Sequence, residues 1–196
     1  MSSPAVLSTL GSLEPAAASR RPRGIRRIAV ALAALIGVLA TLLTSAPPAS
    51  ALPARTALES SIAWAVKNLV VVERTLNGVG YVSMNQHLQL SARRHNVTMA
   101  RYNTMSHQLP GEPYFGTRMT QAGYYWSYAG ENIAWNSAMT KTAALSLQKM
   151  MYNEKAPYNG HRLNILNRHF RNVGVDVYLD WTHHKLWLTV DFGHWR

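Results

Sequence analysis

From Leu58 to Leu76, apolar side chains recur every three or four positions, at Leu58, Ile62, Ala65, Val66, Leu69, Val72 and Leu76, with Glu59, Lys67, Glu73 and Arg74 between them. That spacing predicts one amphipathic helix, ended by Asn77-Gly78-Val79-Gly80. A second helix starts from a cap at Ser83 or Asn85 and runs to about Tyr102, with Leu88, Ala92, His95, Met99 and Tyr102 on one face. Between Thr104 and Tyr128 the pattern breaks. Pro110-Gly111-Glu112-Pro113 marks a loop, a short helix follows around Phe115 to Gln121, and Gly123 can cap it. The aromatic run Tyr124, Tyr125, Trp126 and Tyr128 reads as packing at the edge of a core. Gly130 to Trp135 follows as a strand or strand-like segment.

Thr140 to Tyr152 returns to helical spacing through Ala143, Ala144, Leu147, Met150 and Met151, with Thr140 or Thr142 as cap, and Pro157 cannot continue it. Val173, Val175 and Val177 alternate with their neighbours, as do Leu186, Leu188 and Val190, which predicts two closing strands. Leu179 to Lys185 is their hairpin connection, with His183 and His184 exposed. Helices that precede and interleave a few late strands argue for an α+β layer architecture.

The front of the chain follows a different logic. Residues 1–19 are rich in Ser, Ala and Pro, without a core pattern, and read as unstructured. Arg20, Arg21, Arg23, Arg26 and Arg27 then precede an apolar run of 16 residues, Ile28 to Leu43, and the small-residue site Ala49-Ser50-Ala51. Basic cluster, short apolar stretch and cleavage site make residues 1–51 a secretory signal with an extended amino end, cut after Ala51. An uncleaved anchor is the rival reading, but a spanning helix needs about 20 apolar residues. Pro22-Arg23-Gly24 is also a poor continuation of a twin-arginine signal, which favours the general secretory route. Residues 52–57 are then a short linker and 58–193 the domain.

Removal of the leader leaves 145 residues, enough to bury roughly two thirds of the unfolded surface in one core. The chain has no cysteine, so an exported domain of this kind relies on packing, and on a bound ion if there is one, instead of disulfides. After Ala51 there are 15 Lys plus Arg against 8 Asp plus Glu, a net +7. This balance suits anionic surfaces, but the basic residues are scattered, as on an ordinary solvated surface. No zinc finger, phosphate loop or aromatic RNA-binding signature accompanies them, which argues against nucleic acid.

Candidate chemistry concentrates in four separated motifs: Ser106-His107, Gly130-Glu131-Asn132, Asn153-Glu154-Lys155 and Gly160-His161-Arg162. Two imidazoles and two carboxylates suit a divalent ion, zinc foremost, and could also pass protons. The turn Pro157-Tyr158-Asn159-Gly160 separates Glu154 from His161, so the two do not share a helix face. His95 lies in a buried stripe, where a hydrogen-bonded core histidine is the commoner outcome, and it is left out of the site.

The ordered landmarks are Leu88 to His95 with Met99-Ala100, then Ser106-His107, Arg118 with Ala122-Gly123-Tyr124, and Gly130-Glu131-Asn132-Ile133-Ala134. Gly160-His161-Arg162, Asn164-Ile165-Leu166, Val173 to Val177 and Asp191-Phe192-Gly193 complete them. Together they resemble the CAP superfamily of cysteine-rich secretory proteins, antigen 5 and plant pathogenesis-related proteins, especially its small bacterial secreted members. The resemblance runs from about Leu58 to Gly193. It implies a three-layer α-β-α sandwich with a central antiparallel sheet and a cleft lined by His107, Glu131, Glu154 and His161. Around Glu154 the chain reads Met150-Met151-Tyr152-Asn153, without the tryptophan that bacterial relatives often carry there.

Three uses of such a cleft stay open. Two imidazoles can hold a metal while the glutamates orient the rings or a bound water. The four groups can instead form a satisfied structural network. With Glu131 or Glu154 as base, the cleft becomes a metal-assisted hydrolase for peptide or wall material. A serine nucleophile at Ser106 or Ser127 is disfavoured, because no nucleophile elbow is present. Arg118 and Arg162 are expected to pin loops or meet an anionic ligand, and Asn132 and Asn164 to serve turns or caps. A small-molecule or lipid ligand is a further family theme, and a monomer is expected.

Overall fold

The computed structural model describes residues 5–11 and 51–196, with side chains from 51 onward. The basic cluster and the apolar run of the expected leader lie outside the described residues. Helices are α1 (Ala57–Leu76), α2 (Gln86–Tyr102), α3 (Phe115–Gln121), α4 (Lys141–Tyr152) and α5 (Gly160–Ile165). Strands are β1 (Ala5–Gly11), β2 (Ser83–Met84), β3 (Trp126–Asn136), β4 (Asn172–Asp180) and β5 (Lys185–Trp195). They form one sheet in the order β1-β3-β5-β4-β2. All its pairings are antiparallel except the two-residue β2–β4 contact. None of the described helices is long and apolar enough to cross a membrane.

Helix ends follow local chemistry. Thr56 and Glu59 form a reciprocal capping box on α1, Asn85 accepts from the amides of His87 and Leu88 on α2, and Thr140 accepts from Ala143 on α4. Where the expectation allowed two caps, the structure uses Asn85 and Thr140. Glu59 also accepts the Leu179 amide through Oε1, at 2.9 Å, so one side chain starts a helix and fastens it to β4.

The buried face of α1 differs from the expected one. Leu58, Val72 and Leu76 are 52%, 51% and 76% exposed, while Glu59, Ile62, Ala63, Val66, Lys67, Val70, Glu73 and Arg74 face inward. The apolar pattern misleads here because four charged residues are buried with partners. Lys67 donates to the Tyr81 hydroxyl, and Arg74 donates to the carbonyls of Gly80, Ile165, Asn167 and Phe170. An arginine that satisfies four carbonyls belongs inside despite its charge.

Alternation along the strands divides the sheet into two faces. Val173, Val175, Val177, Leu179, Leu186, Leu188, Val190 and Phe192 pack with α1, α4 and α5 in one continuous apolar core. The intervening residues face α2 and α3, where two smaller clusters form, one around Leu88, Phe115 and Tyr124 and one around Met99, Ile133 and Trp187. Helices therefore cover both faces, as the α-β-α expectation requires. Gly174 sets the approach of α2, since a Cβ there would lie 2.2 Å from the Leu88 carbonyl carbon. Any side chain at that position would push the helix off the sheet.

Residues 1–19 were expected to lack structure, yet Ala5–Gly11 pairs with β3. The physical reason is the open edge of β3, whose unpaired backbone groups accept a strand of any composition that can extend.

Candidate functional site

His107 lies in the loop between α2 and α3, and Arg118 fixes that loop. The Arg118 guanidinium on α3 donates through Nη1 to the carbonyls of His107 and Pro113, at 2.8 and 3.0 Å. Its Nη2 is ion-paired with Glu131 on β3. His107 Nδ1 lies 2.8 Å from Glu131 Oε1. An ionised carboxylate can only accept, so the proton of neutral His107 sits on Nδ1 and the Nε2 lone pair is free.

The second pair is held differently. Glu154 follows α4, and its Oε2 accepts from the amides of His161 and Arg162 at 3.0 and 3.4 Å, in the first turn of α5. There a carboxylate satisfies amides that have no partner inside the helix. Its Oε1 pairs with His161 Nδ1, which gives His161 the same tautomer as His107. The expected turn at Pro157–Gly160 leads into this short helix, which the apolar periodicity did not reveal.

Asn132 and Asn164 join β3 to α5 instead of serving turns or caps, which corrects the expectation for them. Asn132 Nδ2 donates to the His161 carbonyl at 3.2 Å, while Asn164 Nδ2 donates to Asn132 Oδ1 at 2.8 Å and to the Glu131 carbonyl at 3.3 Å. Both are fully buried. A Cβ at Gly130 would lie 2.9 Å from Asn164 Oδ1, so the glycine of the Gly-Glu-Asn box makes room for this bridge. The four expected site residues thus appear as two His–Glu pairs, each anchored to β3 or its neighbours.

Three further groups surround Glu131. His95 Nδ1 is 2.8 Å from Glu112 Oε1, and its Nε2 is 3.9 Å from Glu131 Oε1. Arg118 Nε lies 3.6 Å from Glu112. Asp191 stands opposite Glu131 on β5, fully buried. Burial alone would raise Glu131, but the charges of His95 and Arg118 and the His107 contact prevail and hold it at about 2. Burial and the Glu131 charge push Asp191 well above the ordinary carboxyl range, which favours its neutral form. His95 is the core histidine expected, yet it also sets the charge of the site. Its place on the α2 stripe with Leu88, Ala92 and Met99 gave no sign of this in the sequence.

Chemically, the glutamates are committed to Nδ1 protons, backbone amides and an arginine, whereas Nε2 of His107 and of His161 is buried with no hydrogen-bond partner. Those two nitrogens fit a Lewis-acidic ligand. Among the described residues, no three His, Asp or Glu side chains converge as a ready-made metal cage. An ion held by either imidazole would take its remaining ligands from water or a bound molecule. Ser106, the discounted nucleophile, donates to the Gln108 carbonyl.

A family model for the cysteine-rich secretory protein family, CAP, matches residues 68–192. Protein YkwD of Bacillus subtilis, itself uncharacterised, is 34% identical over 112 residues, covering 56% of this chain and 40% of that protein. An extracellular SCP-domain protein of Bacillus anthracis superposes with a TM-score of 0.58 at 26% identity, over 69% of this chain and 41% of its own. An outer surface protein of Borrelia burgdorferi superposes with a TM-score of 0.59 at 12% identity, over 69% of this chain and 94% of its own, which speaks for the fold alone. The chain spans about two fifths of the two Bacillus proteins.

Proposed function

The chain belongs to the CAP family of cysteine-rich secretory proteins, and on that premise we propose that it is an exported domain that binds a divalent metal, zinc foremost, or a small ligand through His107 and His161. The observation that carries this reading is the pair of buried Nε2 atoms without partners. A buried imidazole nitrogen without a partner costs stability unless something binds it. Glu131 and Glu154 orient the rings and keep each Nδ1 protonated, the usual outer-shell arrangement around a metal-binding histidine. When bound, an ion would supply Lewis acidity. Export is supported by the leader pattern in the sequence and by the extracellular and outer-surface names of two neighbours, and a cut after Ala51 by the leader pattern.

The hydrolase reading is weaker. A carboxylate held at about 2 by neighbouring charge and hydrogen bonding is a poor general base at neutral pH, and this describes Glu131. Glu154 already accepts two amides and a ring proton.

Zinc titration tests the proposal. The wild-type melting temperature is expected to rise by several degrees at saturating zinc. His107→Ala with His161→Ala is expected to abolish the rise. An equal rise in the double variant would reject this site. Turnover of a peptide or wall substrate that disappears in Glu131→Gln would favour the hydrolase instead.

A further inference from the structure

Within residues 51–196, β3 is hydrogen-bonded to β5 on one side only, and its other side is the edge of the sheet. The partner on that edge is Ala5–Gly11, in unbroken antiparallel register from Ala5 opposite Trp135 to Gly11 opposite Ala129. Proteins guard open edges with Lys, Pro, bulges or short strands. The matching stretch of β3, Ala129 to Trp135, has no Lys, Arg or Pro and no bulge. Its single charge, Glu131, is turned to Arg118 and His107. The edge is therefore built to accept a strand.

The segment that fills it is Ala-Val-Leu-Ser-Thr-Leu-Gly, uncharged and mostly small. It packs against α5 as well as β3. Helix α5 is fixed beside β3 by the Asn132 and Asn164 bridges, so the two make a trough with one wall of backbone donors and acceptors and one of helix. Thr9 stands opposite Glu131 in the register, which brings the strand alongside the His–Glu residues. Recognition of this kind draws affinity from main-chain hydrogen bonds and only modest selectivity from alternate side chains. Residues 5–11 also lie upstream of Ala51, so a chain cut there no longer carries its own occupant.

We infer that the outer edge of β3, Ala129 to Trp135, is an acceptor for an extended, uncharged peptide running antiparallel to it, and that Ala5–Gly11 fills this edge in the uncut chain. The inference does not depend on metal binding.

Residue-resolved amide exchange on the full-length chain tests it. Leu7→Pro with Ser8→Pro removes two adjacent amides of β1, so one of them is a ladder donor whichever way the strand faces. In this variant, every second amide of Ala129–Trp135 is expected to exchange at least tenfold faster. A synthetic peptide of residues 5–11, added in trans, is expected to restore protection saturably, and an N-methylated version to fail. Amides of β4 and β5 report folding, and should the pair unfold them, Leu7→Pro and Ser8→Pro made singly carry the same comparison, since one of the two removes a ladder amide and the other serves as its control. Equal β3 exchange in wild type and variant would overturn the inference. So would accelerated exchange that millimolar peptide does not slow.

Discussion

Toward α1 and α4 the central sheet presents Val173, Val175, Val177, Leu186, Leu188, Val190 and Phe192; toward α2 the sheet presents Gly174, Asp176, Glu131, Thr189 and Asp191. The first face gains stability from transfer of apolar area, roughly 1.5–3 kcal/mol for each large side chain. The second depends on partners for the polar groups it buries. Asn96 donates to Asp176 and accepts from Thr189, Arg55 binds Asp176, and Arg93 reaches both Asp176 and the Val177 carbonyl. Two buried glutamates show the same contrast. Glu131 sits among cations and is held at about 2, whereas Glu73, between α1 and α4, has one direct donor in Gln148 and is pushed up by burial to about 7. The polar face fixes geometry through partners, while the apolar face tolerates change in proportion to volume.

The sharpest way to break this contrast is Arg118→Met. It leaves the Glu131 carboxylate buried without the arginine ion-paired to it and is expected to cost about 3–5 kcal/mol at pH 7 by chemical denaturation. Because Glu131 titrates below its unfolded value, the stabilisation is complete above about pH 4.5 and fades as pH falls toward 2. The cost of Arg118→Met should shrink over that window, and adding Glu131→Gln should recover part of it. A cost unchanged between pH 7 and pH 3 would show that packing dominates.

Leu188→Ala on the opposite face comes next, at about 2–5 kcal/mol. Its cost should be the same at pH 4 and pH 8, since no titrating group is uncovered. A marked pH dependence would mean that the two faces are coupled through β5.

The smallest effect is expected at Glu73. Its folded value lies above its unfolded one, so stability is favoured at low pH and declines as pH rises from about 4.5 to about 7. Glu73→Gln should flatten that decline and raise the melting temperature at pH 8 by on the order of a few degrees relative to wild type. A lower melting temperature at pH 8 would show that the ionised Glu73 is stabilising.

Much of the fold was legible along the chain. The short helix Phe115–Gln121, the ends of α2 and α4 and the two closing strands follow from caps, turns and alternation acting within a few residues. The orientation of α1 was not, because Glu59, Lys67, Glu73 and Arg74 find partners at Leu179, Tyr81, Gln148 and Phe170, positions that no helical period contains. The candidate site was legible as a set of motifs in order. Its pairing and the parts played by His95, Glu112 and Asp191 were not, nor was the bridge from Asn132 to Asn164.

The order of motifs and the periodicity of the segments between them were sufficient to place the chain in its family and to name His107, Glu131, Glu154 and His161. Folding decided which imidazole meets which carboxylate, which nitrogen is left over, and what lies along the β3 edge. The reason is range. A cap or a helical stripe is set by neighbours one turn away, but the charge and proton position of a buried group depend on whatever the rest of the chain packs against it.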